Sequence, residues 1–225
     1  MKIRRLQLLK GASEAAGVAV VIDVLRASST ILTMFSRGAR SILPVATVDE
    51  ARRVKVANPD FVLAGERGGA PPSGFDLGNS PTEAAARNFH EKDVVLTTSA
   101  GSKGLVAAAE SADEVVVGCF LNAAAIVAFI QERQPNTVSL VALGTGGEVE
   151  SPEDTLAAEY LHHLLEERHP DFDRMRRKIH EHPQGQKFLD VNQPSYPVAD
   201  LGFCLRTDVF RSVPRLADSG RLLCE

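Results

Sequence analysis

The sequence predicts an α/β protein in which a mostly parallel sheet lies between two layers of helices, a three-layer α/β/α arrangement. Three observations support this fold class: short apolar runs recur along the chain, helical segments alternate with them, and each apolar run is nearly continuous. Strands of a parallel sheet that is covered on both faces have this continuous apolar character. Regular alternation of strands and helices also implies right-handed crossovers between parallel strands.

Six runs have strand character, beginning with the β-branched segment VAVVIDVL at residues 18–25. The other five strands are predicted at 41–47, 61–65, 93–98, 114–119 and 137–143. The helices between them are predicted at 29–38, 48–58, 80–89, 102–111 and 122–134.

The character of the chain changes after Ser151. A long helix is predicted over 153–169, followed by the basic segment RMRRKIHEHPQGQK and a last apolar run at 208–216 that has no assigned place in the sheet. A chain of this length can bury one sizeable core. We therefore expect one domain over residues 1–225, or two small lobes, with a variable C-terminal part from about residue 151.

Composition excludes several classes of protein. A formal net charge of −4 argues against general nucleic-acid binding. The three cysteines are odd in number and form no CxxC pair, so we expect reduced thiols and a cytoplasmic protein. The N-terminal apolar run is too short for a signal peptide, and the uncharged segment 115–130 is too short to cross a membrane.

Carboxylates follow several of the predicted strands, where sheets of this kind bind ligands. Asp23 follows the first strand and Glu66 the third, while Asp154 begins the long helix after the sixth. Hard oxygen ligands of this type suit Mg²⁺, which takes one or two protein carboxylates and completes its shell with water and phosphate. We expect Mg²⁺ at Asp23 and Glu66, with Asp154 as a third candidate. Glu153 and Asp76 are further candidates for binding Mg²⁺.

Two arginines stand beside these carboxylates. Arg26 and Arg67 each follow a strand, and a guanidinium fork can clamp a phosphate, carboxylate or sulfonate. We predict catalytic roles for Asp23, Arg26 and Arg67. Asp76 joins them as the group that attacks phosphorus or orients a water, although an Asx-type turn explains it equally well.

Small polar residues open the helices that follow two strands. Free N–H groups at helix starts bind phosphate, although ordinary N-capping by Ser or Thr is the simpler explanation for any one of them. The predicted substrate-binding residues are Ser28, Ser29, Asn79, Thr98, Ser99, Gly101, Ser102, Lys103 and Asn122. The expected partner is a small anionic phosphorylated substrate, and assembly into a homodimer is left open.

An ordered set of motifs resembles the 2-phosphosulfolactate phosphatase family. The motifs are DVLRASST (23–30), GERGG (65–69), GFDLGNSP (74–81), TTSAGSKG (97–104) and SPED (151–154). The resemblance implies an α/β fold and a Mg²⁺-dependent phosphomonoesterase that converts (R)-2-phospho-3-sulfolactate to sulfolactate, a step of coenzyme M biosynthesis. The alternative is a non-hydrolytic sensor or binding module for an organic anion on the same scaffold.

Overall fold

The computed structural model describes residues 1–224, and a nine-stranded sheet forms the centre of this part of the chain. Its strands are β1 (Lys2–Gln7), β2 (Val18–Ile22), β3 (Ser41–Pro44), β4 (Val62–Gly65), β5 (Asp93–Thr97), β6 (Glu114–Gly118), β7 (Thr137–Ala142), β8 (Arg215–Leu216) and β9 (Leu222–Leu223). They lie in the order β1-β7-β2-β6-β8-β9-β3-β5-β4. All six predicted strands are present.

Helices cover both faces of the sheet. They are α1 (Leu8–Ser13), α2 (Ala27–Ser36), α3 (Val48–Ala57), α4 (Pro81–Ala85), α5 (Gly101–Ala109), α6 (Ala123–Arg133), α7 (Pro152–Leu165), α8 (Phe172–Glu181), α9 (Pro183–Gln186) and α10 (Val198–Cys204). Within residues 1–224, none of them is long and apolar enough to cross a bilayer.

Strand β2 shows how the layers arise. Its side chains alternate between two apolar clusters, with Val18, Val20 and Ile22 on one face and Ala19 and Val21 on the other. Helices α6, α7, α8 and α10 supply residues to the first cluster, and α1, α2 and α5 supply residues to the second. A strand that is buried on both faces needs apolar residues at every position, so the continuous run predicted the three layers correctly.

The sheet consists of two parallel sets of strands that a short hairpin joins. Strands β1, β7, β2 and β6 are parallel to one another, and so are β3, β5 and β4. Strands β8 and β9 are antiparallel to each other and to their outer neighbours β6 and β3. Three antiparallel steps separate the sets, so the sets run in opposite senses. The last apolar run, which the sequence left unplaced, supplies β8.

The N-terminal strand β1 was not predicted. It pairs only with β7 at the edge of the sheet, and it mixes charged residues such as Arg4 and Arg5 with Ile3 and Leu6. An edge strand has one neighbour and partial exposure, so it does not need the continuous apolar run that marks the central strands.

Candidate functional site

A polar cavity of about 290 Å³ lies where β2, β4, β5 and β7 end. The residues just after these strands line it, and α7, α9 and the segment before α10 close its other side. The two parallel sets of strands run in opposite senses. Residues that follow β2 and β7 of one set, and β4 and β5 of the other, nevertheless line the same cavity. The sequence predicts that ligand-binding residues follow the strands, and residues at such positions line this one cavity.

A larger cavity, of about 750 Å³, lies at the amino ends of β2, β6 and β7. Its two arginines are already paired: Arg133 and Arg215 both contact Glu114, at 3.6 and 3.1 Å. The smaller cavity combines several buried acids with two cations, so chemistry rather than volume identifies it as the candidate site.

Asp23 stands at the centre of the cavity. It is 7% exposed and follows β2 directly, and the Ala27 N–H at the start of α2 donates to its Oδ1 at 3.2 Å. Burial raises the pKa of Asp23 to about 7, and the negative charges of Glu66 and Glu153 raise it further while the Ala27 hydrogen bond opposes the rise.

Gly101 gives Asp23 the room it needs at the start of α5. A Cβ at Gly101 would lie 2.4 Å from the Ala27 Cβ and 2.9 Å from the Asp23 Oδ2. The glycine therefore allows two helix starts, α2 and α5, to approach the same carboxylate.

Glu66 ties two of the strand-end loops together. Its carboxylate accepts the Ser99 N–H at 2.7 Å and the Gly69 N–H at 2.9 Å, and the Ser99 hydroxyl donates to it at 3.2 Å. These three donors hold the loop after β4 against the loop after β5.

Two further acids come from the first turn of α7. Asp154 accepts the Val24 N–H at 2.7 Å and the Gly144 N–H at 2.8 Å, so it fastens the ends of β2 and β7. Glu153 has a different environment, because its Oε2 is buried and has no hydrogen-bond partner within residues 1–224. Burial raises the pKa of both carboxyls, and repulsion from Asp23 and Glu153 adds to the rise at Asp154.

This acid cluster, Asp23, Glu153 and Asp154, fits a hard divalent cation. Buried carboxyls whose pKa values are raised gain most when a cation binds beside them. Among residues 1–224, no group of three or more acidic, histidine or cysteine side chains is arranged to hold a metal ion. Mg²⁺ needs only one or two protein carboxylates, and the partnerless oxygen of Glu153 is available to it.

Arg26 lines the cavity beside the acid cluster. It is 4% exposed, and its Nη1 donates to Asp200 of α10 at 2.9 Å while its Nη2 donates to the Gly69 carbonyl at 3.1 Å. Its guanidinium carbon lies 5.2 Å from the ring centre of Tyr196 and 5.7 Å from that of Phe188. Residues of the C-terminal part of the chain thus position Arg26, which follows β2.

Several predicted binding residues use their side chains inside the protein. Ser28 accepts the Asp23 N–H at 3.0 Å, and Ser29 donates to the Val24 carbonyl at 2.9 Å. Thr98 and Ser102 cap each other, with each hydroxyl accepting the backbone N–H of the other residue at 2.8 to 2.9 Å. These hydroxyls therefore bond to nearby backbone groups, although neither α2 nor α5 has a hydrogen bond from its N-cap side chain.

Besides Ser28, Ser29, Thr98, Gly101 and Ser102, four predicted site residues do not line the cavity: Lys103, Asn122, Arg67 and Asp76. Lys103 is half-buried on α5, and Asn122 is bonded to the carbonyls of Val117 and Ser212. The other two, Arg67 and Asp76, are described below.

Arg67 is occupied by its own loops. Its guanidinium donates to the carbonyls of Glu66 and Ala46, and to the Thr97 hydroxyl at 2.8 Å. Asp76 is 44% exposed and accepts the Leu63 N–H at 2.8 Å, with Lys55 at 3.4 Å. The structure thus gives Asp76 a backbone-anchoring position, but its partner is Leu63 rather than a neighbouring residue as an Asx-type turn requires.

Asn79, Ser99 and Gly101 do meet at or beside the cavity. Asn79 is 5% exposed, lines the cavity, and has an Oδ1 without a partner within residues 1–224. An unsatisfied buried amide oxygen is costly unless a ligand or water donates to it. Asn79 is therefore the predicted substrate-binding residue whose environment best fits that role.

Four residues that form the far wall or its supports are not among the predicted site residues: Glu153, Lys187, Tyr196 and Asp200. Glu153 was visible as half of the acid pair in SPED. The other three lie in the part of the chain after residue 151, where no strand pattern indicates which side chains return to the strand ends.

The fold and the site together are typical of α/β enzymes that act on small anionic substrates. The family model described as 2-phosphosulpholactate phosphatase matches residues 4–219. The chain belongs to this family, and it is a phosphatase.

Curated relatives agree with this assignment. The chain is 34% identical over 206 residues to a probable 2-phosphosulfolactate phosphatase of Pseudothermotoga lettingae, covering 88% of each chain. It is 33% identical over 215 residues to a protein of the same description from Thermotoga petrophila, covering 92% of each. A third, from Caldicellulosiruptor saccharolyticus, is 36% identical over 207 residues, covering 84% of this chain and 85% of the relative.

Proposed function

We propose that the protein is a Mg²⁺-dependent phosphomonoesterase that hydrolyses (R)-2-phospho-3-sulfolactate to 3-sulfolactate and phosphate. The observation that carries the proposal is the acid cluster, whose three buried carboxyls share a cavity with Arg26 and Lys187. A site with this charge arrangement suits a divalent cation together with a polyanionic ligand. The family match over residues 4–219 supports the choice of substrate.

Asp23 and Glu153 are the carboxylates that we propose for the metal. Asp23 is central and buried, and Glu153 offers an oxygen that no other group occupies. When bound, Mg²⁺ supplies positive charge that stabilises the phosphoryl oxygens as charge develops on them. Glu66 and Asp154 already accept backbone N–H groups, which favours a positioning role for them, and direct metal contact by either stays a prediction.

The residues of the cavity also suggest how the substrate is oriented. Arg26 lines the cavity at the strand ends, where its guanidinium can donate hydrogen bonds to an anion. In the proposed reaction a water oxygen bonds to phosphorus, the bond from phosphorus to the C2 oxygen breaks, and that oxygen takes a proton. We favour water over Asp76 as the attacking group, because the Asp76 carboxylate is bonded to Leu63 outside the cavity.

Three finer expectations belong to the same proposal: a role in coenzyme M biosynthesis, a cytoplasmic location and assembly as a homodimer. Each concerns the physiological setting rather than the site. None of them is needed for the chemistry described above.

Phosphate release from a panel of 2-phospho acids, with and without Mg²⁺, tests the function. We expect (R)-2-phospho-3-sulfolactate to give the highest kcat/KM, and turnover to stop in excess EDTA and return with Mg²⁺. Tight binding of these acids without phosphate release would instead identify a binding module. Full turnover after dialysis against EDTA would exclude the metal.

A further inference from the structure

One cation of the cavity, Lys187, has no individual role in the reaction proposed above. It lies at the end of α9, is half-buried and lines the same cavity as the acid cluster. Lys187 lies in the C-terminal part of the chain, whereas Arg26 follows β2.

Lys187 and Arg26 share one aromatic pair. The Lys187 Nζ lies 4.6 Å from the ring centre of Tyr196 and 5.8 Å from that of Phe188, and the Arg26 guanidinium faces the same two rings. The rings themselves pack edge to face at 5.3 Å. Aromatic faces hold a cation in place without neutralising it.

The two cations differ in how their charge is matched. Arg26 forms a buried ion pair with Asp200, so the protein itself balances its charge. No carboxylate lies within 4 Å of the Lys187 ammonium in residues 1–224, and its hydrogen-bond partner is the neutral Gln184. Gln184 is held in turn by a hydrogen bond to Thr145, in the loop after β7.

A half-buried ammonium with only a neutral partner keeps donors for a ligand. Lysine carries three N–H donors, and one bond to Gln184 leaves two. The acids of the cavity attract it without pairing with it, and burial lowers its pKa while the charge of Glu153 opposes the change. The cavity can thus offer an anion a positive charge that is not part of an ion pair.

We propose that Lys187 binds an anionic group of the substrate other than the phosphate, and so selects substrates that carry a second acid group. This inference rests on the proposed function, in which the phosphate lies at the acid cluster with the metal. The remaining sulfonate and carboxylate of the substrate then need a cation of their own. Lys187 is a specificity-determining residue in this account, and it takes no part in breaking the phosphate ester.

The test compares Lys187→Met with wild type on three phosphate esters. Methionine keeps the length and packing of the side chain over the two rings and removes the charge. For (R)-2-phospho-3-sulfolactate we expect kcat/KM to fall about 10- to 100-fold, mainly through KM, because one charge-assisted hydrogen bond is lost. For phenyl phosphate, which has no second acid group, we expect a change of less than about threefold. With 2-phospholactate the fall persists if Lys187 binds the carboxylate and disappears if it binds the sulfonate.

Two further variants control for structure. Lys187→Arg keeps the charge and should recover most of the lost kcat/KM. Lys178→Met removes an exposed lysine of α8 that lies outside the cavity, and it should behave as wild type. Equal losses on phenyl phosphate and on the sulfonated substrate, or no loss on either, would overturn the inference.

Binding of the product separates this inference from the proposed function. Calorimetry with 3-sulfolactate should give a dissociation constant at least about tenfold weaker for Lys187→Met than for wild type, whether or not the wild type hydrolyses the ester. A wild type that releases no phosphate from any ester refutes the proposed function alone. Unchanged or undetectable 3-sulfolactate binding in the two proteins refutes the role of Lys187.

Discussion

The pairing of Arg26 with Asp200 gives a sharp test of how the site is built, through the variant Asp200→Asn. Asp200 is fully buried, and its carboxylate accepts from Arg26 at 2.9 Å and from the Ser80 hydroxyl at 2.8 Å. The Thr82 N–H donates to it at 3.1 Å. Arg26 donates to one carboxylate oxygen, and Ser80 and Thr82 donate to the other, so asparagine removes the negative charge and also replaces one of the two acceptors with an NH₂ donor.

The expected cost is about 3–5 kcal/mol in the free energy of unfolding, because the variant leaves a buried guanidinium without its charge partner. Arg26 is 4% exposed and packs against the rings of Tyr196 and Phe188. We also expect kcat/KM to fall, since Arg26 would lose the bond that orients it toward the cavity.

Urea unfolding followed by circular dichroism measures the change in stability. Asp173→Asn is the matched control, because it breaks an Arg–Asp pair of 2.8 Å whose members are 49% and 68% exposed. Such a surface pair contributes less than about 1 kcal/mol. The double variant Arg26→Met/Asp200→Asn should be more stable than Asp200→Asn alone, because it removes the unpaired charge. A cost below about 1 kcal/mol for Asp200→Asn would refute the reasoning.

Three other predictions follow from the structure. Asp76→Asn should keep kcat within about threefold of wild type and lose about 1 kcal/mol of stability, since its carboxylate accepts the Leu63 N–H outside the cavity; a hundredfold loss of kcat would return Asp76 to the mechanism. Gly69→Ala should lower activity at least about tenfold, because the new Cβ would lie 2.4 Å from the Tyr196 ring. Gly74→Ala is its control and should affect stability alone, because Gly74 has a similar positive φ and its new Cβ would meet nothing within 4 Å. Equal activity of the two variants would contradict this prediction. In EDTA the protein should gain up to about 4 kcal/mol of stability as the pH falls from 8 to 4. Asp23 has a pKa of about 7 in the folded protein and an ordinary pKa in the unfolded chain, so the folded state binds an extra proton over this range. Thermal melts that show no such rise, or the same rise with saturating Mg²⁺, would speak against this prediction.

The first half of the site could be predicted because it follows from local rules. Asp23 and Glu66 lie at the ends of central strands, and central strands carry an unmistakable apolar pattern. Once a parallel sheet is inferred, the residues just after its strands become candidates without further information. The convergence of Asp23, Glu66 and Asp154 in one cavity agrees with that reasoning.

The roles of individual side chains at these positions were harder to predict. Arg67 and Asp76 stand in the same motif-rich loop as Glu66, yet the carboxylate of Asp76 and the guanidinium of Arg67 are bonded to backbone groups nearby. Short distances in sequence do not show which side chain points to the cavity, because the glycines of this loop allow several paths. Ser28 and Ser29 likewise serve the local turn.

The C-terminal half of the site depends on long-range packing. Lys187 and Tyr196 lie more than 150 residues from Arg26, and only the folding of α7 to α10 over the sheet brings them together. The helix α9 and the strands of the β8–β9 hairpin are too short to show a hydrophobic period. No local pattern could therefore place these residues at the strand ends.

The central claim is that Asp23 and the acids beside it bind Mg²⁺ for phosphate-ester hydrolysis. The most direct measurement is phosphate release from (R)-2-phospho-3-sulfolactate across a Mg²⁺ titration, for wild type, Asp23→Asn and the control Asp49→Asn, whose side chain is 82% exposed. We predict saturating Mg²⁺ activation of the wild type and of Asp49→Asn, with a loss of at least about 100-fold in kcat/KM for Asp23→Asn. Turnover by Asp23→Asn within about threefold of wild type at saturating Mg²⁺ would contradict the claim.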